Sequence, residues 1–241
     1  MRGFIDLHCH WVASIDDGAK SVADSIAMLR GLRQAGFDRV IATPHMRPGM
    51  FDNTKQDLEA AYARTRKEIA SADGLPELDL SSEHFFDEVV FERFLSGDVL
   101  PYPGGNAALV EINTRIFPAK LEHRFFDLMR KGIRPVLAHP ERYEPVWKDI
   151  HVLDAVVDGG AVLLLDVAAL AGKYGKAPQR AAESLVEEGY YYAACSDAHK
   201  PSDVEAVKRG IDELEDMAGK EEAAFLLAEG PAQILSGDVD A

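Results

Sequence analysis

Two histidines separated by a single residue, His8 and His10 in "DLHCH", stand near the start of a chain that has only eight histidines among its 241 residues. The two-residue period of a strand turns such a pair to one side, and two imidazoles on one face are a ready chelate. Similar groups recur down the sequence. "IDDGAKS" sets Asp16 and Asp17 before Gly18 and Lys20, "TPH" ends in His45, "SSEH" offers Glu83 and "VEIN" offers Glu111. "AHPERY" carries His139 and Arg142, and "SDAH" carries Asp197 and His199, again two residues apart. Singly, each has a bland explanation: Asp-Asp-Gly favours a turn, and a lone His or Glu is an ordinary polar strand end. Together, His8, His10, His45, His139 and His199, with Glu83, Glu111, Asp197 and one acid of the Asp16–Asp17 pair, make nine nitrogen and oxygen donors with no clear thiolate, a set suited to Zn²⁺, Mn²⁺ or Fe²⁺. Nine donors exceed what one ion accepts, so two or three ions sharing bridging carboxylates are expected, as in metal-assisted phosphoester hydrolysis. His84, His123 and His151 have no such surroundings and are left as ordinary side chains.

Short apolar or β-branched runs alternate with amphipathic stretches, punctuated by Gly, Pro, Asp or Asn. Strands are expected at 3–8, 39–45, 78–84, 108–114, 134–140, 161–167 and 190–199, with helices through 21–36, about 54–72, 119–131, 149–158, 177–188 and 202–229. Repeated strand-to-helix alternation predicts parallel strands with right-handed crossovers. Seven strands fit a distorted seven-stranded barrel or an open doubly wound sheet. In a parallel barrel, functional residues gather at the C-terminal ends of many strands, which is where these donors fall. The Pro- and Gly-rich piece 97–106 reads as a surface loop rather than a linker, so one domain spanning 1–241 is expected.

Composition bounds the rest. With 47% hydrophobic and 28% charged residues the chain has a globular profile. No segment approaches the ~20 apolar residues of a membrane span, so no membrane insertion is expected, and without a signal-peptide pattern the expected location is the cytoplasm. Cys9 and Cys195 are too few for a disulfide framework. A formal charge of −15 argues against a nucleic-acid partner and requires a local reversal of sign wherever an anionic substrate binds.

As a set, "DLHCH", "DDGAKS", "TPH", "SSE", "VEIN", "AHPERY" and "SDAH" resemble the polymerase and histidinol phosphatase (PHP) superfamily. "IDDGAKS", "TPHMRPGMFDN", "HPERY" and the stretch 159–189 are most similar to its bacterial CpsB/YwqE-type metal-dependent protein-tyrosine phosphatases of capsular and exopolysaccharide synthesis. The resemblance implies a TIM-like distorted (β/α)7 barrel and a site of two or three divalent ions, usually Mn²⁺, with Fe or Zn as alternatives. It assigns His8, His10, Glu83 and Asp197 to a first ion, and Glu83, Glu111 and His139 to a second. Asp17, His45 and His199 fall to a third, with Asp16 a loop residue beside Asp17. Arg142 matches an arginine that contacts phosphate, and Lys20 is a weaker candidate for the same duty. The implied activity is hydrolysis of phosphotyrosine by a metal-bridging hydroxide, with a bacterial tyrosine kinase or polysaccharide co-polymerase as the phosphoprotein partner. Cys9 is then no nucleophile. The alternatives are a histidinol-phosphate-type small-molecule phosphatase and a noncatalytic metal-stabilised binding module. The chain departs from the family after His199: "SDAHKPSDVEAVKRG" enters a helix quickly, in place of a loop that carries an arginine in similar members. Lys200, Lys208 and Arg209 are the nearby basic residues.

Overall fold

The computed structural model describes residues 2–239. The first half of the chain runs through β1 (Phe4–Cys9), α1 (Val22–Ala35), β2 (Phe37–Ala42), β3 (His45–Met46), α2 (Lys55–Ile69), β4 (Glu77–Leu80), β5 (Glu83–Phe85), α3 (Glu88–Ser96) and β6 (Ala107–Glu111). The second half holds α4 (Leu121–Arg130), β7 (Arg134–Ala138), α5 (Glu144–Lys148), α6 (Asp154–Asp158), β8 (Val162–Asp166), α7 (Lys176–Glu187), β9 (Tyr191–Cys195), α8 (Val204–Ala218), α9 (Lys220–Ala224) and α10 (Gly230–Ser236). Helix ends follow local chemistry. Ser21 caps α1 by accepting from the Asp24 N–H, Thr54 and Asp57 form a reciprocal capping box on α2, and Gly36 closes α1 in the left-handed region.

Among the described residues these strands pair in parallel throughout, in a three-stranded sheet of order β1-β2-β4 and a six-stranded sheet of order β3-β5-β6-β7-β8-β9. The expected second and third strands are each broken in two. The cause is local: Pro44 has no N–H to give, and the Ser82 hydroxyl takes the Pro44 carbonyl at 2.8 Å while Glu83 N reaches the same oxygen at 3.2 Å. β1 in turn meets the segment after β9, where Asp197 N donates to the His8 carbonyl (2.9 Å) and His10 N to the Ala198 carbonyl (3.0 Å).

Alternation along the strands sorts the core. Leu109, Val136, Leu164 and Ala193 join Leu7 and Ile41 in one apolar cluster, while their neighbours Val110, Leu137, Leu163, Leu165 and Ala194 join the larger cluster built with the helices. Strands buried on both faces explain why these runs read as continuously apolar. The amphipathic face of α1 is likewise consumed internally: Met28, Leu29 and Leu32 are fully buried, and Gly31 lies so close to Val204 of α8 that a Cβ would stand 2.8 Å from its methyl.

Three expectations need correction. Residues 88–96 form α3, capped by Asp87 accepting from Val90 N, where no helix was expected, because its β-branched and aromatic residues mask the helical period. The stretch 149–158 begins as a 3₁₀ turn at Ile150–Leu153 before α6. The final helix breaks at Gly219, whose φ of 84° is left-handed, passes through a π turn at Phe225–Glu229, and then extends past 229 as α10. Among the described residues, no helix is long and apolar enough to cross a membrane.

Candidate metal centre

The nine donors meet at the C-terminal ends of the strands and in the loops just beyond. His8 and His10 leave β1 on the same side, as the spacing predicts, with their Nε2 atoms 3.1 Å apart. Cys9 between them points into the helix-side core, and burial pushes its thiol well above the usual range. Cys195 is buried and raised in the same way, so neither is a ready nucleophile.

The loop after β1 is folded back onto that strand. Ala19 N donates to the His10 carbonyl at 2.9 Å, and Gly18 crosses so near that a Cβ there would stand 2.1 Å from the same oxygen. The turn delivers two acids with different tasks. Asp17 is half exposed, with Oδ1 3.3 Å from His45 Nε2 and 3.5 Å from His199 Nε2. Asp16 lies in the loop beside Asp17, as expected, and its carboxylate is buried there, 2.9 Å from His10 Nδ1, accepting from His45 N at 3.1 Å and Gly18 N at 2.9 Å. Holding Nδ1 this way aims His10 Nε2 into the cluster, the usual duty of a carboxylate behind a metal-ligating imidazole. The signal was the pair of adjacent acids, which sequence alone could not divide between inward and outward positions.

Glu83, on β5, is the hub. Its Oε2 lies 3.3 Å from His8 Nε2, 3.4 Å from His10 Nε2 and 3.0 Å from His45 Nδ1, and its Oε1 lies 3.1 Å from His139 Nε2. Asp197 Oδ1 faces His8 Nε2 at 3.2 Å and His10 Nε2 at 3.5 Å. Four overlapping groups result, each with donor atoms within 4.8 Å of one another: His8, His10 and Asp197; His8, Glu83 and His139; His45, Glu83 and Glu111; and His10, Asp17, His45 and His199. All nine residues named from sequence are in these groups. The donors suit a divalent cation on a structural ground as well: Asp197 Oδ1 is buried with no hydrogen-bond partner, and imidazole nitrogens converge on it and on each other. Two of the donors also sit in left-handed backbone, His139 at φ 36° and Asp197 at φ 40°, a strain that surrounding structure must hold in place.

Burial would raise the carboxylates, yet the imidazoles win at three of the four donors: His8 and His45 hold Glu83 well below the ordinary carboxylate range, His8 and His199 do the same for Asp197, and His45 lowers the half-exposed Asp17. At Glu111 burial wins, reinforced by the Glu83 charge, and its pKa rises to about 7. Burial lowers His139 to about 4 with help from Arg142, whereas His45 is held up at about 10 against burial by Glu83 and Asp17.

Arg142 reaches the cluster through an ion pair from Nη1 to Asp197 Oδ2, and its guanidinium lies 4.7 Å over the Tyr174 ring. Lys20 is exposed, its ammonium 3.3 Å from the Asp16 carbonyl at the outer edge of the loop. After His199 the chain makes one 3₁₀ turn, Pro201–Asp203, and enters α8 at once. Lys200 is exposed there, while Lys208 lines a pocket with Arg2 and Gln34, near the N-terminal end of β1 and so away from the cluster. One basic residue was missed from sequence: Arg47, whose Nη1 lies 3.5 Å from Glu111 Oε2. His84 is buried as a structural residue, its ring nitrogens engaged by the Leu109 carbonyl and Leu100 N.

Comparisons with known proteins agree with this geometry. The tyrosine-protein phosphatase YwqE of Bacillus subtilis (strain 168) is 32% identical over 196 residues, covering 81% of this chain and 77% of the relative. The tyrosine-protein phosphatase CpsB of Streptococcus pneumoniae is 24% identical over 239 residues, covering 96% and 98%. A crystal structure described as that of YwqE and CpsB, metal-dependent tyrosine phosphatases, superposes with a TM-score of 0.88 at 29% identity, over 96% of this chain and 94% of that one. A lactonase from Listeria monocytogenes, at 12% identity and a TM-score of 0.57, shares the fold alone. The sequence model for capsular polysaccharide synthesis, CpsB/CapC, matches residues 4–236, from the first residue of β1 to the last of α10, and the chain belongs to that family.

Proposed function

We propose that this protein is a metal-dependent protein-tyrosine phosphatase of capsular or exopolysaccharide synthesis, acting in the cytoplasm on a phosphotyrosine protein such as a bacterial tyrosine kinase or polysaccharide co-polymerase. The observation that carries the reading is the convergence of nine buried or half-buried donors around Glu83, beside Arg142, in a chain whose relatives are named tyrosine-protein phosphatases. The sheet order, the backbone hydrogen bonds from β1 to the segment after β9 and the two-faced alternation of the core support a single domain built as a distorted (β/α)7 barrel of the PHP type.

In this reading His8, His10, Glu83 and Asp197 hold one divalent ion, Glu83, Glu111 and His139 a second, and Asp17, His45 and His199 a third, with Mn²⁺ the expected metal. Such ions supply a hydroxide at neutral pH and offset charge on the phosphoryl oxygens. Asp16 fixes His10, and Glu83 lies centrally enough to serve more than one ion. Arg142 presents a planar guanidinium to the equatorial oxygens of the phosphoryl group, held flat by Tyr174 beneath it. Lys20 would at most add long-range attraction from the rim.

The test uses protein purified without added metal, analysed for bound metal and then assayed with Mn²⁺ on a phosphotyrosine peptide and on histidinol phosphate. Peptide turnover well above that of histidinol phosphate is expected. Turnover of histidinol phosphate alone would move the assignment to a small-molecule phosphatase, and inactivity on both with metal bound would favour a binding module.

A further inference from the structure

We infer that Arg47 is a second phosphate-gripping residue, reaching the donor cluster at Glu111 as Arg142 reaches it at Asp197, and binding a phosphoryl oxygen of the substrate; the inference rests on the phosphatase reading above. Its setting shares three features with that of Arg142. Each guanidinium is packed over an aromatic ring, Arg47 at 4.1 Å from the Phe85 centroid and Arg142 at 4.7 Å from that of Tyr174. Each points a nitrogen at a carboxylate of the cluster, Glu111 for Arg47 and Asp197 for Arg142. Each leaves about a quarter of its side chain open to solvent, 28% and 24%. An arginine that served only to neutralise Glu111 would be expected to close a bidentate pair; the contact at 3.5 Å is a single loose one, and most of the fork's donors remain available.

Local sequence explains why the side chain is so placed. In "HMRPGMFDN" the Met50 N–H returns to the Arg47 carbonyl at 3.1 Å across Pro48 and Gly49, with Gly49 at φ 81°, the turn chemistry of Pro followed by a left-handed Gly. Arg47 and Phe51 then exchange both backbone hydrogen bonds, at 3.0 and 2.8 Å. Phe51 lies flat on the His45 ring, 5.0 Å away with 3° between the planes, and Asn53 ties the hairpin to the carbonyls of His45 and Ile15. The hairpin is therefore anchored to a donor of the cluster, and the arginine is ordered before any substrate arrives. The turn after His199, by contrast, contains no arginine, so the phosphoryl group's remaining charge has Arg47 as its neighbour on the Glu111 side.

The experiment measures binding of inorganic phosphate by calorimetry to Mn²⁺-loaded wild type, Arg47→Gln and Arg47→Lys, with metal content and melting temperature recorded for each. Losing one charge-assisted hydrogen-bonding fork should weaken phosphate about tenfold to a hundredfold in Arg47→Gln. Arg47→Lys, which keeps charge without the fork, should fall between, and metal content should be unchanged. KM for a phosphotyrosine peptide should rise in parallel. Unchanged phosphate affinity in Arg47→Gln overturns the inference, as does a loss of affinity that merely tracks a loss of metal, or a wild type that binds no phosphate. A wild type inert on phosphotyrosine peptides whose phosphate binding still falls in Arg47→Gln would sink the phosphatase reading and leave Arg47's role standing.

Discussion

The same strands carry two opposite kinds of interior. Midway along them, Leu109, Val136, Leu164 and Ala193 are fully buried and wholly apolar; a few residues further, at the strands' C-terminal ends or just past them, Glu111, His139 and Asp197 are almost as buried and all ionisable. The apolar layer stabilises the fold through burial and close packing. The ionisable layer costs stability, because it desolvates charge and holds His139 and Asp197 in left-handed backbone, and it persists because the layer beneath fixes the strands that present it. Substitutions in the two layers should therefore separate activity from stability.

The sharpest break lies in the ionisable layer. Asp197→Ala and His139→Ala should each lower phosphotyrosine hydrolysis by about a thousandfold or more while leaving the circular dichroism spectrum and urea midpoint of the metal-free protein unchanged or improved. A coincident loss of fold would contradict the division of labour. In the apolar layer, Leu164→Ala should cost about 2–5 kcal/mol in urea unfolding, with metal content and kcat per folded molecule close to wild type. A smaller effect belongs to the boundary: Asp16→Ala leaves every donor in place but frees His10 Nδ1, and should weaken metal binding about tenfold to a hundredfold in a competition titration. Affinity equal to wild type would show that packing alone orients His10.

How much of each layer could be read from sequence follows from the same contrast. Residue type alone made eight of the nine donor candidates legible, with Asp17 singled out from its neighbour only by the family resemblance, and period two placed His8 and His10 side by side. The strands were legible as apolar runs, except where Pro44 and Ser82 break the pairing, a matter of hydrogen-bond geometry that composition does not carry. Asp16 and Asp17 are indistinguishable until the Gly18 turn packs on His10. Arg47 escaped notice because its importance depends on Phe85 and Glu111, which are distant in sequence and reach it only through the parallel pairing of β3 with β5 and of β5 with β6. Helix α3 escaped for a different reason: its valines and phenylalanines suit a strand as well as a helix, and Asp87 as a cap decides between them only once the preceding strand is known to end at Phe85.

Glu141 sits between the two layers and gives the finest test of the contrast. It is fully buried, accepts from the Tyr191 hydroxyl at 2.9 Å and from Asp166 N at 3.1 Å, and lies near the Asp166 charge. Burial, then Asp166, raises its pKa to about 8. The folded protein therefore keeps a proton that the unfolded chain releases near pH 4.5, and Glu141's contribution to stability falls as pH rises from there to about 8, by up to about 1.4 kcal/mol per unit. Glu141→Gln cannot ionise, and the Tyr191 hydroxyl can turn to accept from the new amide, so its urea stability between pH 5 and pH 8 should lose that part of the slope and exceed wild type most at the alkaline end. Parallel pH profiles for the two proteins would mean that Glu141 is already ionised when folded, stabilised by the nearby Arg142, and would place it with the charged layer instead of the apolar one.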